Sequence, residues 1–242
     1  MNCLSEIDVV ILAGGLGTRL RRVLPNTPKV MAPVDGKPFL RYVIDRLGRS
    51  GARRVVLSLG HLADDVVDYV DGQDWHGIEV VSHVEPEPMG TGGALREVLP
   101  LVGSGTVMAM NGDAFARAGL DSFVDFHRSS GATISILLTF VHDVGRYGVV
   151  EADDDGRVRS FDEKPQSGDG GGYVNAGVYL FQRTAIEGIA TGRPVSLERE
   201  VFPRECGRGL YGFRGSFPFI DIGTPESYGS AGEFLTSAAN DN

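Results

Sequence analysis

The stretch VVILAGGLGTRLRRVLPNTPKVMAP, Val9 to Pro33, decides the fold. Its opening run, Val9-Val10-Ile11-Leu12, is short, apolar and flanked by turn formers, the pattern of a fully buried strand. Gly14, Gly15 and Gly17 then fall within four positions. Glycine has no Cβ, so the backbone there can bend sharply and press against a bulky partner. Thr18, Arg19 and Leu20 follow at the loop edge, and Lys29 lies ten residues beyond Arg19. Successive N–H groups in a glycine-rich turn form a cradle for anions. Arg19 adds a planar fork of donors and Lys29 a compact charge, both suited to phosphate oxygens. The stretch therefore reads as a polyphosphate site. It is not a P-loop, since no Gly-Lys-Ser/Thr follows at the required spacing, and Gly14 to Gly17 does not give the dinucleotide G-x-G-x-x-G.

Outward from this loop, strands and helices alternate. Residues 7–13 read as the first strand, 14–36 as a long loop, and Pro38 as the start of a helix with Leu40, Val43, Ile44 and Leu47 at helical spacing. Val55–Leu59 reads as a strand, Asp64–Val70 as a helix and Ile78–Val84 as a strand. A helix from about Ala94 to Leu99 precedes a buried strand, Thr106–Met110, which runs into Asn111-Gly112-Asp113. Such alternation marks βαβ units and a mainly parallel sheet, whose ligands bind beyond the carboxyl ends of the strands. Asp113 is placed at such an end, where one carboxylate can hold a Mg²⁺ ion shared with phosphate oxygens.

After Asp121–Ser130 as a helix and Thr133–Phe140 as a strand, the pattern changes. Tyr147–Glu151 and Arg157–Phe161 read as a hairpin, Tyr173–Phe181 as a further strand and Leu197–Phe202 as a short helix. Leu210–Phe213 and Phe217–Ile220 are short strands, and a final helix runs to about Leu235, with Thr224 as its N-cap and Pro225 at its first position. The Gly168–Gly172 tract reads either as a lid or as a loose loop.

GGLGTRL followed by PKVMAP resembles the signature of the sugar-1-phosphate nucleotidyltransferases, which join a nucleoside triphosphate to a sugar 1-phosphate and release pyrophosphate. Arg22-Val23-Leu24 stands where many members carry Pro-Leu-Thr. With Met31-Ala32-Pro33 and Gly36-Lys37-Pro38-Phe39-Leu40, the pattern is most similar to the branch that guanylylates D-glycero-D-manno-heptose 1-phosphate for surface glycan synthesis. The resemblance spans nearly the whole chain. It implies a Rossmann-like α/β fold, a mixed and mainly parallel sheet flanked by helices with a smaller β-rich sugar-binding lobe. It divides the single domain into a nucleotide part over about 1–140 and a sugar-phosphate part over about 141–242.

The same resemblance assigns residues. Leu12, Ala13, Gly14, Gly15, Gly17, Thr18, Arg19, Lys29, Glu85, Gly90 and Thr91 would bind the nucleotide. Asn111, Tyr147, Gly148, Glu163, Lys164 and Asn175 would bind the sugar phosphate. Asp113 and Asp221 would hold Mg²⁺, and Arg19, Lys29, Asp113 and Lys164 would carry the catalysis. Alone, Glu163-Lys164 reads as a surface ion pair and Asp221 as a turn residue before the last helix. Glu85 has a physical argument of its own: a carboxylate only accepts, and guanine offers two adjacent donors, N1–H and N2–H. Mannose 1-phosphate with GTP, or glucose 1-phosphate with UTP or dTTP, are alternative substrates. A non-catalytic sugar-nucleotide sensor is a rival of another class, disfavoured because the whole charged set is present.

The chain has 242 residues, 42% hydrophobic and 23% charged, which suits one α/β domain. A net charge of -9 argues against non-specific nucleic-acid binding, which needs basic surface. Only Cys3 and Cys206 occur, so no disulfide framework or cysteine metal site is expected, and the histidines at 61, 76, 83, 127 and 142 form no ligand pattern. MNCLSEID lacks the features of a signal peptide, and no apolar run approaches ~18 residues. A cytoplasmic enzyme without a membrane partner is the expectation, with the oligomeric state open.

Overall fold

The computed structural model describes residues 2–15, 17–163 and 170–239. β1 (Asp8–Ala13) leads into the glycine loop, 3-10 turns at Leu20–Arg22 and Lys29–Met31, and a small hairpin of β2 (Pro33–Val34) and β3 (Lys37–Pro38). The predicted alternation follows: α1 (Phe39–Arg49), β4 (Arg54–Leu59), α2 (Ala63–Asp71), β5 (Glu79–Val84), α3 (Gly90–Glu97) and β6 (Thr106–Asn111). β7 (Ala114–Ala116) and α4 (Leu120–Ser130) lead to β8 (Ile134–Val141), then to the hairpin of β9 (Val149–Ala152) and β10 (Val158–Asp162), then to β11 (Gly172–Gln182). α5 (Arg183–Glu187), a π-turn at Leu197–Val201 and α6 (Phe202–Glu205) precede β12 (Leu210–Gly215) and β13 (Phe219–Asp221). α7 (Pro225–Gly229) and α8 (Ala231–Ala239) close the described chain.

Among the described residues, nine strands form one sheet in the order β10-β9-β11-β6-β1-β4-β5, with β8 on the other edge of β11 and β12 beyond it. β6, β1, β4 and β5 are parallel, as is the β8–β12 pair, whereas β11 is antiparallel to both β6 and β8. The expected mixed, mainly parallel sheet is therefore present. β1 sits between β6 and β4 and is buried on both faces. Val9 and Ile11 pack into one apolar cluster with α1 and α4, while Val10 packs into the other with α3 and α6. Side chains alternate along a strand, so covering both faces with helices turns an unbroken apolar run into a two-sided core.

β11 couples the two halves. Along one edge it pairs with β6 over 178–182, then reaches β9 at Val174↔Val149, with a register break between Asn175 and Tyr179. The β9–β10 hairpin thus continues where β6 ends, which sets the second half beside Asn111. No described helix is long and apolar enough to cross a membrane.

Several boundaries differ from the sequence reading. The long loop at 14–36 contains turns and a hairpin of its own. The helix expected from Ala94 starts at Gly90, so Gly90–Gly93 form its first turn; the low helix propensity of glycine hides this from a sequence pattern. β9 starts at Val149, because Tyr147 is in a turn that donates to the Val144 carbonyl. Thr224 caps α7 as expected, with a reciprocal bond to Ser227, but the final helix is two helices.

α4 is pinned to the sheet by one polar link. His127, 1% exposed, joins Ser135 Oγ through Nδ1 at 2.8 Å and Gln182 Nε2 through Nε2 at 3.2 Å. Burial, aided by Arg128, lowers its pKa to about 4. The fold therefore favours the neutral ring. Its stabilisation is complete above the ordinary histidine range near 6.5 and is lost as pH falls through about 4. Between pH 7 and pH 5 this group should cost on the order of 1–2 kcal/mol. Urea unfolding at the two pH values should show that loss in the parent and a flatter dependence in His127→Gln. Equal slopes would contradict the assignment.

Candidate active site

The carboxyl ends of β1 and β6, the turn after β5 and the first turn of α3 enclose a cavity of about 310 Å³. Leu12, Ala13, Gly14, Gly15, Lys29, Glu85, Gly90, Thr91, Asn111 and Asp113 line it, so most of the nucleotide set read from the sequence converges there.

One end of the cavity is set by Glu85. Ser58 Oγ, buried at the end of β4, donates to Oε1 at 2.9 Å, and Met89 N–H donates to Oε2 at 3.1 Å. Two donors orient this carboxylate and leave lone pairs free on a group that can only accept. A Cβ on residue 14 would stand 2.6 Å from Glu85 Oε1, so glycine is required for the loop and the carboxylate to meet.

The other end carries the charges. Gly112 N–H donates to the Leu12 carbonyl at 2.9 Å as the chain leaves β6. A Cβ there would lie 2.7 Å from Val30 Cγ1, so this turn needs glycine to pass beneath the Lys29 segment. Asp113 then meets Lys29, with Nζ 2.5 Å from Oδ2. β13 pairs antiparallel with β7, placing Asp221 opposite Ala114, and Ile222 N–H donates to the Asp113 carbonyl at 2.9 Å. Asp113, immediately before β7, and Asp221, at the end of β13, thus meet at one end of a short ladder. The Asp221 carboxylate accepts from Gly223 N–H at 2.5 Å. Lys29 Nζ lies 3.3 Å from where a Gly223 Cβ would stand, so the ammonium reaches both aspartate turns. Burial, then the negative charge of Asp113, push the Asp221 carboxyl above its ordinary range; Lys29, the Gly223 N–H and Arg146 pull the other way.

This arrangement fits a Mg²⁺ ion. Two carboxylates that repel each other gain from a shared cation, and magnesium is commonly held by one or two carboxylates together with substrate phosphates and water. No group of three or more candidate ligands exists among the described residues, so phosphate oxygens and water would supply the remaining ligands.

Other residues read from the sequence lie apart from the cavity or, like Thr91 and Asn111, line it with side chains in a different setting. Thr18 and Arg19 are exposed at the outer lip of the loop, and Gly17, at φ +57°, packs against the Lys29 side chain. The Thr91 hydroxyl is committed to the protein: it donates to Glu198 Oε2 at 2.7 Å and accepts from Leu197 N–H at 2.9 Å. Asn175 N–H donates to the Gly148 carbonyl at 3.0 Å, and Glu163 Oε2 lies 3.1 Å from a Cβ placed on Gly148, so these three form one cluster. Tyr147 packs edge-to-face on Phe219, beside Asp221. Lys164 lies outside the described residues. Asn111 Oδ1 is buried with no hydrogen-bond partner among the described residues, an acceptor waiting for a donor at the cavity wall.

Sequence reasoning missed Ser58, Glu198 and Arg146. Ser58 ends a strand beside the glycine loop, a position that could have flagged it. Glu198 has no such signal, since a π-turn leaves no periodicity.

Comparison with known proteins gives a consistent result. The nucleotidyl transferase family model matches residues 8–238. Mannose-1-phosphate guanylyltransferase of Mycobacterium tuberculosis is 37% identical over 227 residues, covering 92% of this chain and 63% of that protein, so the chain spans less than two thirds of that relative. D-glycero-alpha-D-manno-heptose 1-phosphate guanylyltransferase of Aneurinibacillus thermoaerophilus is 35% identical over 226 residues, covering 93% of this chain and 96% of that protein. The crystal structure of HddC from Yersinia pseudotuberculosis superimposes with a TM-score of 0.83 at 35% identity, covering 94% of this chain and 98% of that one. HddC has also been solved in complex with GMP-PN, at a TM-score of 0.82.

The raised Asp221 pKa carries a stability consequence. A carboxyl whose folded pKa is raised stabilises fully below its unfolded pKa, and that contribution is lost as pH rises through the folded value. At pH 7 the ionised Asp221 is therefore a net cost to the fold. In chelator at pH 7, Asp221→Asn should raise Tm, and the gap should shrink toward pH 4. A lower Tm for the variant in a thermal scan would reverse the sign of this reading.

Proposed function

The chain belongs to the nucleotidyl transferase family, and on that footing we propose that it transfers GMP from GTP to a sugar 1-phosphate, D-glycero-alpha-D-manno-heptose 1-phosphate, with release of pyrophosphate. The observation that carries the reading is the pairing of Lys29 with Asp113 at one end of a cavity whose other end is a fixed carboxylate, Glu85, with Asp221 brought beside Asp113 by the β7–β13 ladder.

Glu85 supports guanine. Its oxygens are oriented by Ser58 and Met89 and can take the paired N1–H and N2–H donors together. Uracil or thymine offers one donor between two acceptors, which would leave carboxylate lone pairs facing carbonyl oxygens. The GMP-PN complex of HddC accords with this choice. The heptose follows from the relatives at 33–35% identity, with mannose 1-phosphate as the alternative from the mycobacterial protein. We assign the nucleotide to about 1–140, the sugar phosphate to about 141–242, and the reaction to the cytoplasm.

An oxygen of the sugar 1-phosphate attacks the α-phosphorus; the new P–O bond forms as the bond to the β-phosphate oxygen breaks, and pyrophosphate leaves in line. The nucleophile is already anionic at neutral pH, so no side chain has to accept a proton. Catalysis is then positioning and neutralisation of charge. Lys29 reaches the reacting phosphates from its place against Asp113. Arg19, at the loop's lip, meets the β- and γ-phosphates and the departing pyrophosphate. The loop N–H groups of Gly14 and Gly15 face the same anion. Asp113 and Asp221 would hold Mg²⁺, which supplies Lewis-acid polarisation of the α-phosphate when bound. Asn111, Tyr147, Gly148, Glu163 and Asn175 surround the sugar, and Lys164 aligns the attacking phosphate.

A pyrophosphate-release assay across nucleotides and sugar 1-phosphates tests the reading; it fails if no pair containing GTP is turned over. Lys29→Ala and Asp113→Asn should each lower kcat by about 10²–10³ with the circular dichroism spectrum retained. Rates within a few-fold of the parent would remove both from the mechanism. Glu85→Gln should lower kcat/KM for GTP by about tenfold or more, with UTP and dTTP gaining relative to it in a competition assay. An unaltered base preference would discard Glu85 as the base reader.

A further inference from the structure

A second recess lies on the far side of Asp221. It is a groove of about 430 Å³ between the wall formed by Tyr147, Phe219 and Asp221 and the wall formed by Ser230, Glu233 and Ser237 of the α7–α8 segment. Asp221 links it to the reacting centre, since the same residue neighbours Asp113 and Lys29. Tyr147 links it to the sugar cluster, because the next residue, Gly148, bonds to Asn175 and packs on Glu163. The groove therefore borders, through Tyr147 and Asp221, both the cluster proposed for the sugar and the charged centre.

Its lining selects a type of ligand. Ser230 Oγ donates to the Ser227 carbonyl at 3.0 Å, and Ser237 Oγ donates to the Glu233 carbonyl at 2.9 Å, so these hydroxyls have spent their protons on the backbone. The Glu233 carboxylate receives no hydrogen bond among the described residues. Ser237 Oγ also accepts from Arg117 Nη2, so the Glu233 carboxylate is the open acceptor of the α7–α8 wall. The opposite wall offers aromatic rings, with Tyr147 edge-to-face on Phe219 at 5.4 Å. The carboxylates of Asp221 and Glu233 are balanced at the margins by Arg117, bonded to Ser237, and by Arg146, over the Tyr147 ring. A polyhydroxylated carbon chain fits this mixed lining: its hydroxyls donate to the open carboxylate and its C–H faces pack on the rings.

We propose that this groove is the subsite for the exocyclic carbon chain of the sugar, with Glu233 as a specificity-determining residue that accepts from the extra hydroxyl a heptose carries and a hexose lacks. The proposal rests on the sugar-1-phosphate guanylyltransferase reading and decides between its two sugars. A site that hydrogen-bonds a substrate hydroxyl discriminates against the analogue lacking it, because its own polar groups are then left unpaired.

The test compares kcat/KM for heptose 1-phosphate and mannose 1-phosphate, with GTP and Mg²⁺, for the parent chain, Glu233→Ala and Glu233→Gln. Glu233 is exposed on α8, and retention of the parent's Tm confirms that each variant is folded. The parent should prefer the heptose, and Glu233→Ala should lower the heptose-to-mannose ratio by about tenfold, the discounted effect of one hydroxyl contact in an open groove. Glu233→Gln, which keeps one acceptor oxygen, should fall between the two. A ratio unchanged in Glu233→Ala, or a parent without preference for the heptose, overturns the subsite and leaves the guanylyltransferase reading standing. A parent that turns over neither sugar with GTP overturns both.

Discussion

Lys29 stands between two aspartates that the chain could have kept apart, and holding those three charges together is the constraint from which the rest of the architecture follows. Asp113 follows a central strand, while Asp221 arrives from near the end of the chain on β13. The short β7–β13 ladder has no place in the main sheet; its consequence is to set residue 221 beside residue 113. Burying like charges is unfavourable unless a cation accompanies them, and Lys29 neutralises one of the two. The remaining negative charge makes the centre responsive to a metal–phosphate ligand. The C-terminal helices then fix the Lys29 segment: Tyr228 hydroxyl donates to the Pro33 carbonyl at 2.5 Å, and Thr236 hydroxyl to Asp35 at 3.1 Å. The last two helices thus hold in place the loop that carries the ammonium.

The sheet sets the second half of the site in a comparable way. β6 ends at Asn111, and beyond that point β9 takes over the edge of β11 that β6 had occupied. One strand thus serves two neighbours in succession on this edge, while on its other edge its pairing with β8 shifts register between Asn175 and Tyr179. A Cβ on Gly177, within that break, would stand 3.0 Å from Asn111 Nδ2, so the two strand ends meet closely. The end of β6 at the cavity and the Gly148–Glu163–Asn175 cluster therefore share one continuous strand, which limits how far they can move relative to each other without breaking ladder hydrogen bonds.

Much of this was legible in the sequence, for reasons that differ by residue. β1 and β6 were readable because a strand covered on both faces must be uniformly apolar. Lys29 and Glu85 were readable from the family motif, and Asp113 from its place at the carboxyl end of a buried strand; all three line one cavity. Arg19 was read from the same motif, yet it lies exposed at the loop's lip, since nothing in a motif fixes a side chain's direction. Thr91 was placed on the nucleotide; it lines the cavity, while its hydroxyl ties α3 to the π-turn. The ladder joining β7 to β13 and the Ser58 support for Glu85 were hidden, because pairing between distant segments leaves no local periodicity. The Glu233 groove was hidden for the same reason: its two walls are separated in sequence and meet only in the fold.

An acidic chain that handles a polyanion must segregate its charges, and the distribution along the sequence shows how. Between Gly14 and Val34 there is no Asp or Glu, while Arg19, Arg21, Arg22 and Lys29 all fall within that window, against a net charge of -9 for the whole. Exposed charges farther apart than the ~8 Å Debye length at physiological salt are largely screened from one another. A triphosphate at the glycine loop therefore responds mainly to the local excess of cations, and the acidity elsewhere opposes it little. The α7–α8 wall carries the opposite sign, with Glu226 and Glu233 and no basic residue between Pro225 and Ala239. On the proposed reading, a ligand with an anionic head and an uncharged hydroxylated tail would take its direction from this difference: its phosphate would be drawn toward Lys29 and the loop, and a hydroxyl of its tail toward Glu233. One end of such a substrate would be selected by charge and the other by hydrogen-bond polarity.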